Sequence, residues 1–365
     1  MAKLQGVNLG NWLVLEKWMH KDLFRGTTAE DETELCLQLG EERFARLKAH
    51  RDTYITKADF EYLAARGFNA LRIPVPHFIF DDCYPYVGCI EYLDRAFEWA
   101  KETGLTILID LHTVRDSQNG FDNGGICGVC KWHLKEENLV HTRQVLCKLA
   151  KRYKGHPALY GLEFVNEPTR PDMFEAMEKA GRYPPHDKER ARGSCGVPDD
   201  LLIRFYRDCY RDLRAILGDD VPLVFHDGFR LSLWKGVFPA EEYRNLVLDA
   251  HLYVAFNEFE KGPEAFLQVL QKTLKEFHSG IQEMRAHYPV IIGEWCFSYP
   301  DKGFGESDTP LMMEAAMRAG AACQLYVFEQ ADGWFFWSYK LVNGPLGWDM
   351  QKAIEMGWMP DKLNS

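Results

Sequence analysis

With 54 acidic against 43 basic side chains, this 365-residue chain carries a formal charge of −11 and a pI near 5.6. That balance gives phosphates no basic footprint and argues against nucleic acid and against an anionic membrane surface. A 46% hydrophobic composition with mean hydropathy −0.32 and no apolar run of about eighteen residues describes a soluble globular protein with ample material for one large core, and excludes a transmembrane helix or a disordered chain.

From the first residue onward, Met1-Ala-Lys-Leu-Gln5 leads straight into an apolar run, without the graded regions of a signal peptide. Ten scattered cysteines, several inside helical or strand patterns, read as reduced thiols. Both readings favour the cytoplasm; in a secreted protein Cys83 and Cys89 could instead bridge a loop. Strand-like runs then recur at Gly6–Leu9, Asn69–Ile73, Thr106–Leu111, Leu159–Asn166, Val221–Phe225, Leu246–His251, Val290–Glu294 and Gly333–Trp337. Amphipathic stretches at Ile90–Thr103, Glu136–Tyr153, Asp199–Leu217, Gly262–His287 and Thr309–Leu325 separate them. Eight alternating units imply a parallel sheet with right-handed crossovers, closing into an α/β fold of the (β/α)8 TIM barrel type. A single domain over residues 1–365 is expected, with inserted loops on the C-terminal face. Two of these loops stand out. Asp116–Trp132 is glycine-rich and follows the third strand; Arg170–Pro198 is polar and Pro-rich, follows the fourth, and should stand over the barrel mouth.

Two short apolar runs close on acids: Gly161-Leu-Glu-Phe-Val-Asn-Glu-Pro168 on Glu167, and Val290-Ile-Ile-Gly-Glu-Trp295 on Glu294. A carboxyl group is not buried cheaply, and the C-terminal mouth is where a barrel keeps its chemistry. Two facing carboxyl groups suffice to cleave a glycosidic bond, one as proton donor and one as nucleophile or base. Retention requires a separation of roughly 5–5.5 Å, inversion roughly 6.5–9.5 Å. Burial and a neighbouring carboxylate are expected to raise the pKa of Glu167. Arg72 ends the second strand in Leu71-Arg-Ile-Pro74, beside a proline that stops it, and can donate a fork of hydrogen bonds that keeps Glu294 ionised. His112, His251 and Tyr253 stand on strand ends, where they can bind sugar hydroxyls or orient the glutamates. Asn166 is placed to bond a 2-hydroxyl, provided the strand is already twisting outward, because successive strand residues point oppositely. Trp337 offers a flat platform for a sugar. Cys127-Gly-Val-Cys130 with His133 lacks the second cysteine pair of a zinc site and reads as two loop thiols, so no metal and no cofactor are expected.

Gly6-Val-Asn-Leu-Gly-Asn-Trp-Leu-Val-Leu-Glu16, Leu71-Arg-Ile-Pro74, Ser117-Gln-Asn-Gly-Phe-Asp-Asn123, Asn166-Glu-Pro168, His226-Asp227, His251-Leu-Tyr253, Gly293-Glu-Trp295 and Trp334 to Lys340 together resemble glycoside hydrolase family 5, and within it the exo-β-1,3-glucanases. The resemblance extends over most of the chain. It implies Glu167 as acid/base and Glu294 as nucleophile, with Arg72, His112, Asn166, Asp227, His251, Tyr253 and Trp337 around the cleaved sugar. Glu16, Asp122 and Asn123 match residues that hold a terminal glucose, and Phe121 with Phe256 match an aromatic pair that clamps the next sugar. The implied partner is a β-linked glucose oligosaccharide or glucoside, cleaved from its non-reducing end with retention. Aryl or lipid glucosides, endo action on a glycan, and a non-catalytic carbohydrate-binding barrel are the rival readings. The chain departs from the pattern after His112, where Thr113-Val-Arg-Asp116 brings a bulky charge, Arg115, into a segment that is small in the relatives.

Overall fold

The computed structural model describes residues 3–81, 83–257, 260, 262–297 and 308–363. In chain order its elements are β1 (Leu4–Asn8), α1 (Glu32–Leu39), α2 (Glu42–Tyr54), α3 (Lys57–Ala65), β2 (Ala70–Val75), α4 (Ile90–Thr103), β3 (Thr106–Leu111), α5 (Glu136–Tyr153), β4 (Leu159–Glu163), α6 (Pro171–Lys179), α7 (Lys188–Ala191), α8 (Asp199–Leu217), β5 (Leu223–His226), β6 (Leu246–His251), α9 (Pro263–Arg285), β7 (Val290–Glu294), α10 (Pro310–Phe328), β8 (Gly333–Phe336) and α11 (Met350–Glu355). Every strand pairs in parallel with its neighbours, and β8 pairs with β1 through Leu4↔Gly333 and Val7↔Phe336, which closes the barrel.

Strand alternation sorts the side chains into two sets. Val7, Leu71, Ile73, Ile107, Ile109, Leu162, Phe225, Leu248 and Ile292 face outward and join the core beneath the helices. Leu4, Ala70, Leu108, Val224, Val247, Ile291 and Phe335, contributed by seven strands, form a separate apolar plug inside the barrel. The helices bury one stripe each. In α8, Leu202, Phe205, Tyr206, Cys209 and Leu213 recur at helical spacing on the buried side, acids occupy the first turn where the helix dipole favours them, and Gly218 follows with φ 72° as the chain leaves the helix.

Three expectations shift. β2 does not stop at Pro74 but runs through it to Val75, so Arg72 lies mid-strand. The missing N–H is harmless there, since Arg72 and Pro74 turn the same edge toward β1, whose pairing ends at Asn8↔Arg72. β4 ends at Glu163, although Phe164 and Asn166 still donate backbone hydrogen bonds to Val224 and Leu111. The Arg170–Pro198 segment contains α6 and α7 in place of a continuous irregular loop.

Candidate active site

Two residues above the apolar plug, the same inward register carries Arg72, Asp110, Glu163, His226 and Asp249, all fully buried, with Asn8 at the matching level of β1. A guanidinium has five N–H donors in a fixed fork, and Arg72 uses them in four directions. Its Nε donates to Glu163 Oε2 at 2.8 Å, Nη1 to Asn8 Oδ1 and to Glu294 Oε1 at 3.0 Å each, and Nη2 to Asn166 Oδ1 at 2.8 Å. Asp110 Oδ2 lies 3.1 Å from Nη1. The Asn8 amide in turn donates to Gly293 O at 2.8 Å, tying β1 to β7. Gly293 must lack a side chain: a Cβ there would lie 2.0 Å from Asp249 Oδ2.

The two glutamates named from sequence meet above this floor. Glu167 has φ 46°, a left-handed turn that breaks strand alternation and lets both it and Asn166 serve the same site. Its Oε1 accepts from His251 Nδ1 at 2.8 Å and its Oε2 from Asn123 Nδ2 at 2.9 Å. Glu294 Oε2 accepts from the Tyr253 hydroxyl at 2.8 Å and lies 3.4 Å from His251 Nδ1, so one imidazole nitrogen stands between both carboxylates. His112 donates from Nδ1 to Asp110 Oδ2 at 2.5 Å, leaves Nε2 to accept from Asn166 Nδ2 at 3.3 Å, and stacks on Trp337 with centroids 5.4 Å apart. Asn166 is thereby held at both ends of its amide before any hydroxyl arrives.

The protons are arranged otherwise than the sequence suggests. Burial pushes Glu294 above the usual carboxylate range, with the charge of Glu167 adding to the rise; His251 and Arg72 offset this only in part. Burial acts the same way on Glu167, but the hydrogen bond and charge of His251, together with Asn123, outweigh it and leave that group below its ordinary value. Burial alone would lower His251, yet Glu294, Asp249 and Glu167 hold its pKa well above the ordinary histidine range. The expected order, a high Glu167 and a low Glu294, is reversed because His251 sits closer to Glu167. A raised His251 and a lowered Glu167 across one 2.8 Å hydrogen bond favour the shared proton on the imidazole.

A cavity of about 660 Å³ opens over the pair. Of the residues named from sequence, Glu16, Phe121, Asp122, Asn123, Glu167, His251, Tyr253, Phe256, Glu294 and Trp337 line it. Arg72, His112 and Asn166 lie beneath, holding the wall. Asp227 does not reach the wall: its Oδ1 caps the N–H of Phe229 at 3.0 Å, and Phe229 is the residue presented to the cavity. Arg115 is turned away, donating to Cys83 Sγ at 3.1 Å. Burial and then the charge of Asp122 push Glu16 well up, and burial raises Asp122 to about 6. Sequence reasoning passed over Met173, Met177 and Tyr183, which bring the 170–198 segment onto the wall, and over Asp110, Glu163 and Asp249 in the floor. The last group did leave a signal. Asp110-Leu-His112 and Asp249-Ala-His251 repeat an acid two residues before a histidine, on one face of two strands.

Two sets of side chains approach closely enough to share a cation: Glu167, His226 and His251, and Glu163, Asp249 and His251. Both include His251, whose Nδ1 is already bonded to Glu167 at 2.8 Å; His226 Nδ1 accepts the N–H of Gly228 at 2.8 Å, while its Nε2 is buried without a hydrogen-bond partner among the described residues. Cys127 and Cys130 do not converge with His133, whose Nε2 faces Cys195 Sγ at 3.5 Å.

Comparison with known proteins yields a match of residues 40–341 to the family model described as cellulase, glycosyl hydrolase family 5. The probable glucan 1,3-beta-glucosidase A of Aspergillus terreus is 32% identical, over 99% of this chain and 89% of the relative. Glucan 1,3-beta-glucosidase 1 of Schizosaccharomyces pombe is 30% identical over 98% and 88% respectively. Among solved structures, the rutinosidase from Aspergillus niger superposes with a TM-score of 0.78 over 98% of both chains at 22% identity, a likeness of fold.

Proposed function

Because the chain belongs to glycosyl hydrolase family 5 and is a glycoside hydrolase, we propose that it is an exo-acting, retaining β-glucosidase or glucanase that releases terminal glucose from β-1,3-linked glucans, oligosaccharides or β-glucosides. The observation that carries the retaining half is the shared imidazole. With Glu167 Oε1 at 2.8 Å and Glu294 Oε2 at 3.4 Å from the same His251 nitrogen, one oxygen of each carboxylate reaches the same group, the close pairing on which a glycosyl-enzyme route depends. The exo half is supported by the acids Glu16 and Asp122 in the cavity lining, which can accept hydrogen bonds from the hydroxyls of a terminal sugar. The β-1,3 linkage follows the names of the fungal relatives.

In this mechanism Glu294 attacks the anomeric carbon while Glu167 protonates the departing oxygen. The proton comes from His251. As Glu294 becomes an ester it loses the charge that most strengthens the imidazolium, so the proton is released across the 2.8 Å hydrogen bond to Glu167 Oε1 and on to the leaving group. Glu167, again a carboxylate, then takes a proton from the water that cleaves the ester. The test is laminarihexaose followed by proton NMR and product sizing. Glucose appearing first as the β anomer, together with a loss on the order of 10⁴-fold or more in Glu294→Gln with the fold intact, is the expected result. An α anomer at early times, or products cut from the chain interior, would overturn the reading.

A further inference from the structure

Asp110-Leu-His112 on β3 and Asp249-Ala-His251 on β6 share one pattern, an acid two residues before a histidine on the same face of a strand, yet their imidazoles are bonded in opposite ways. One proton satisfies His112. Its Nδ1 donates to Asp110 Oδ2 at 2.5 Å, and its Nε2 keeps a lone pair that accepts from Asn166 Nδ2 at 3.3 Å. His251 meets carboxylate oxygens at both nitrogens. Nδ1 lies 2.8 Å from Glu167 Oε1 and 3.4 Å from Glu294 Oε2, while Nε2 faces Asp249 Oδ2 at 3.6 Å. A neutral ring carries a single N–H. With that proton on Nδ1, the lone pair of Nε2 would lie against Asp249 Oδ2, and both atoms are buried without a hydrogen-bond partner among the described residues. A second proton, on Nε2, turns that opposition into an ion pair.

Asp249 is fixed where it stands. Its Oδ1 accepts the Gly293 N–H at 2.6 Å, its carbonyl accepts the Asp227 N–H at 2.8 Å, and its carboxyl group fills the space that a side chain at position 293 would need. The other groups around His251 come from the neighbouring strands. Glu163 belongs to β4 and Glu167 to the turn after it, Glu294 closes β7, and β5 brings His226, its ring perpendicular to His251 at 4.2 Å, followed by Asp227. Arg72 of β2 is the cation of the floor, 3.7 Å from Asp249 Oδ2. His226 does not compete for the proton: its Nδ1 accepts the Gly228 N–H, and burial holds its pKa well below the ordinary histidine range. Glu167 and Glu294 both change charge during the reaction. Asp249, fully buried below the cavity, takes no part in bond making.

We propose that Asp249 is a positioning residue that keeps His251 doubly protonated with Nδ1–H aimed at Glu167, and so sets the pH range over which Glu167 receives the proton it passes on. The assignment rests on the hydrolase reading above and adds the control of its acid step. The proton moves from Nδ1 to Glu167 Oε1 and then to the departing oxygen, while Nε2–H stays paired with Asp249. Asp249→Asn is the test, because its side-chain oxygen can still accept from Gly293 while its amide donates to Nε2, leaving His251 the Nδ1–H without the second proton. Laminaribiose, whose departing oxygen needs a proton, is compared with 2,4-dinitrophenyl β-glucoside, whose leaving group departs without one. The ratio of kcat/KM for laminaribiose to that for the dinitrophenyl glucoside should fall about tenfold or more at pH 7. Since the ring then holds its second proton only at lower pH, the basic limb of the laminaribiose profile should move toward acid by about one pH unit or more. Equal losses on both substrates with the limb unmoved would make Asp249 merely structural and overturn the assignment. The wild-type protein supplies a second measurement should the variant fold poorly. With 15N-labelled histidine at pH 7, the ring signal that disappears in His251→Gln should carry protons on both nitrogens; a singly protonated ring overturns the proposal. Absence of turnover of both substrates by the wild type would instead sink the hydrolase reading, and the ring signal would still report on Asp249 and His251.

Discussion

Two successive layers inside the same barrel are built on opposite principles. The lower one, with Leu4, Ala70, Leu108, Val224, Val247, Ile291 and Phe335, needs only volume and exclusion of water. The upper one, two residues further along β3 and β6 and three along β7, sets Asp110, Asp249 and Glu294, with Glu163 of β4, around a single guanidinium. Each member of the lower layer contributes largely on its own. Each member of the upper layer is tolerable only because of the others, since an ionised group taken out of water costs several kcal/mol unless its partners remain in place. The barrel is thus held by one layer and made reactive by the next, and substitutions should divide accordingly.

Arg72→Met tests that division most severely. It keeps most of the side-chain volume and removes the charge, leaving four buried acids without their common donor. Urea denaturation should register a loss of about 3–5 kcal/mol, and turnover should fall to background because Glu294 and Asn166 lose the donor that orients them. Unchanged stability would mean that the acids are already neutral as a group and that the two layers differ less than their geometry suggests. A milder change in the lower layer should give the complementary result. Ile291→Val removes one methylene from the plug, should cost about 0.5–1.5 kcal/mol, and should leave kcat/KM per folded molecule where it was. A tenfold loss of activity there would show that the plug positions the floor above it and does not merely support it.

The same contrast explains which features are legible in the amino-acid sequence. Apolar runs bounded by turn residues carry their own limits: Thr106–Leu111, Leu246–His251 and Val290–Glu294 are strands over those very residues, and Ile90–Thr103, Glu136–Tyr153 and Asp199–Leu217 are helices over theirs. Helices with a thin apolar stripe are illegible. Nearly half charged, α2 buries Leu47 and leaves Phe44 43% exposed, so its periodicity is faint, and in the crossover from β1 to β2 the capping box Thr56–Asp59 ahead of α3 is a helical signal that the reading by apolar stripe passes over. In the site, Glu167 and Glu294 are legible because an acid closing a buried run demands a reason. Asp110, Glu163 and Asp249 are not, because inside an apolar run a lone acid has no visible partner; its partner, Arg72, is between 38 and 177 residues away and is brought near only by barrel closure. Proton location is the least legible, since it depends on which of two carboxylates lies closer to one imidazole nitrogen, a difference of tenths of an ångström.

Glu163→Gln asks whether the upper layer is as fully charged as it looks. Glu163 accepts from Arg72 through Oε2, while its Oε1 is buried without a hydrogen-bond partner among the described residues, as is Asp249 Oδ2. Burial drives the pKa of Glu163 well above the ordinary carboxylate value; Arg72 opposes the rise, and Asp249 and Asp110 reinforce it. A carboxyl group whose folded pKa is raised adds stability at pH below its unfolded value, and that contribution is lost as pH climbs through the folded value. Wild-type stability should therefore decline from about pH 4.5 upward on account of this group. Glutamine reproduces the neutral acid: its carbonyl can accept from Arg72 and its amide can donate toward Asp249. The variant should lie within about 0.5 kcal/mol of wild type at pH 5 and gain on it at pH 8, where only the wild-type unfolded chain has shed the proton. Denaturation midpoints at the two pH values provide the measurement. Should the variant lose stability as pH rises relative to wild type, Glu163 is ionised in the folded protein, and Arg72 then bears a full set of charges that no shared proton relieves.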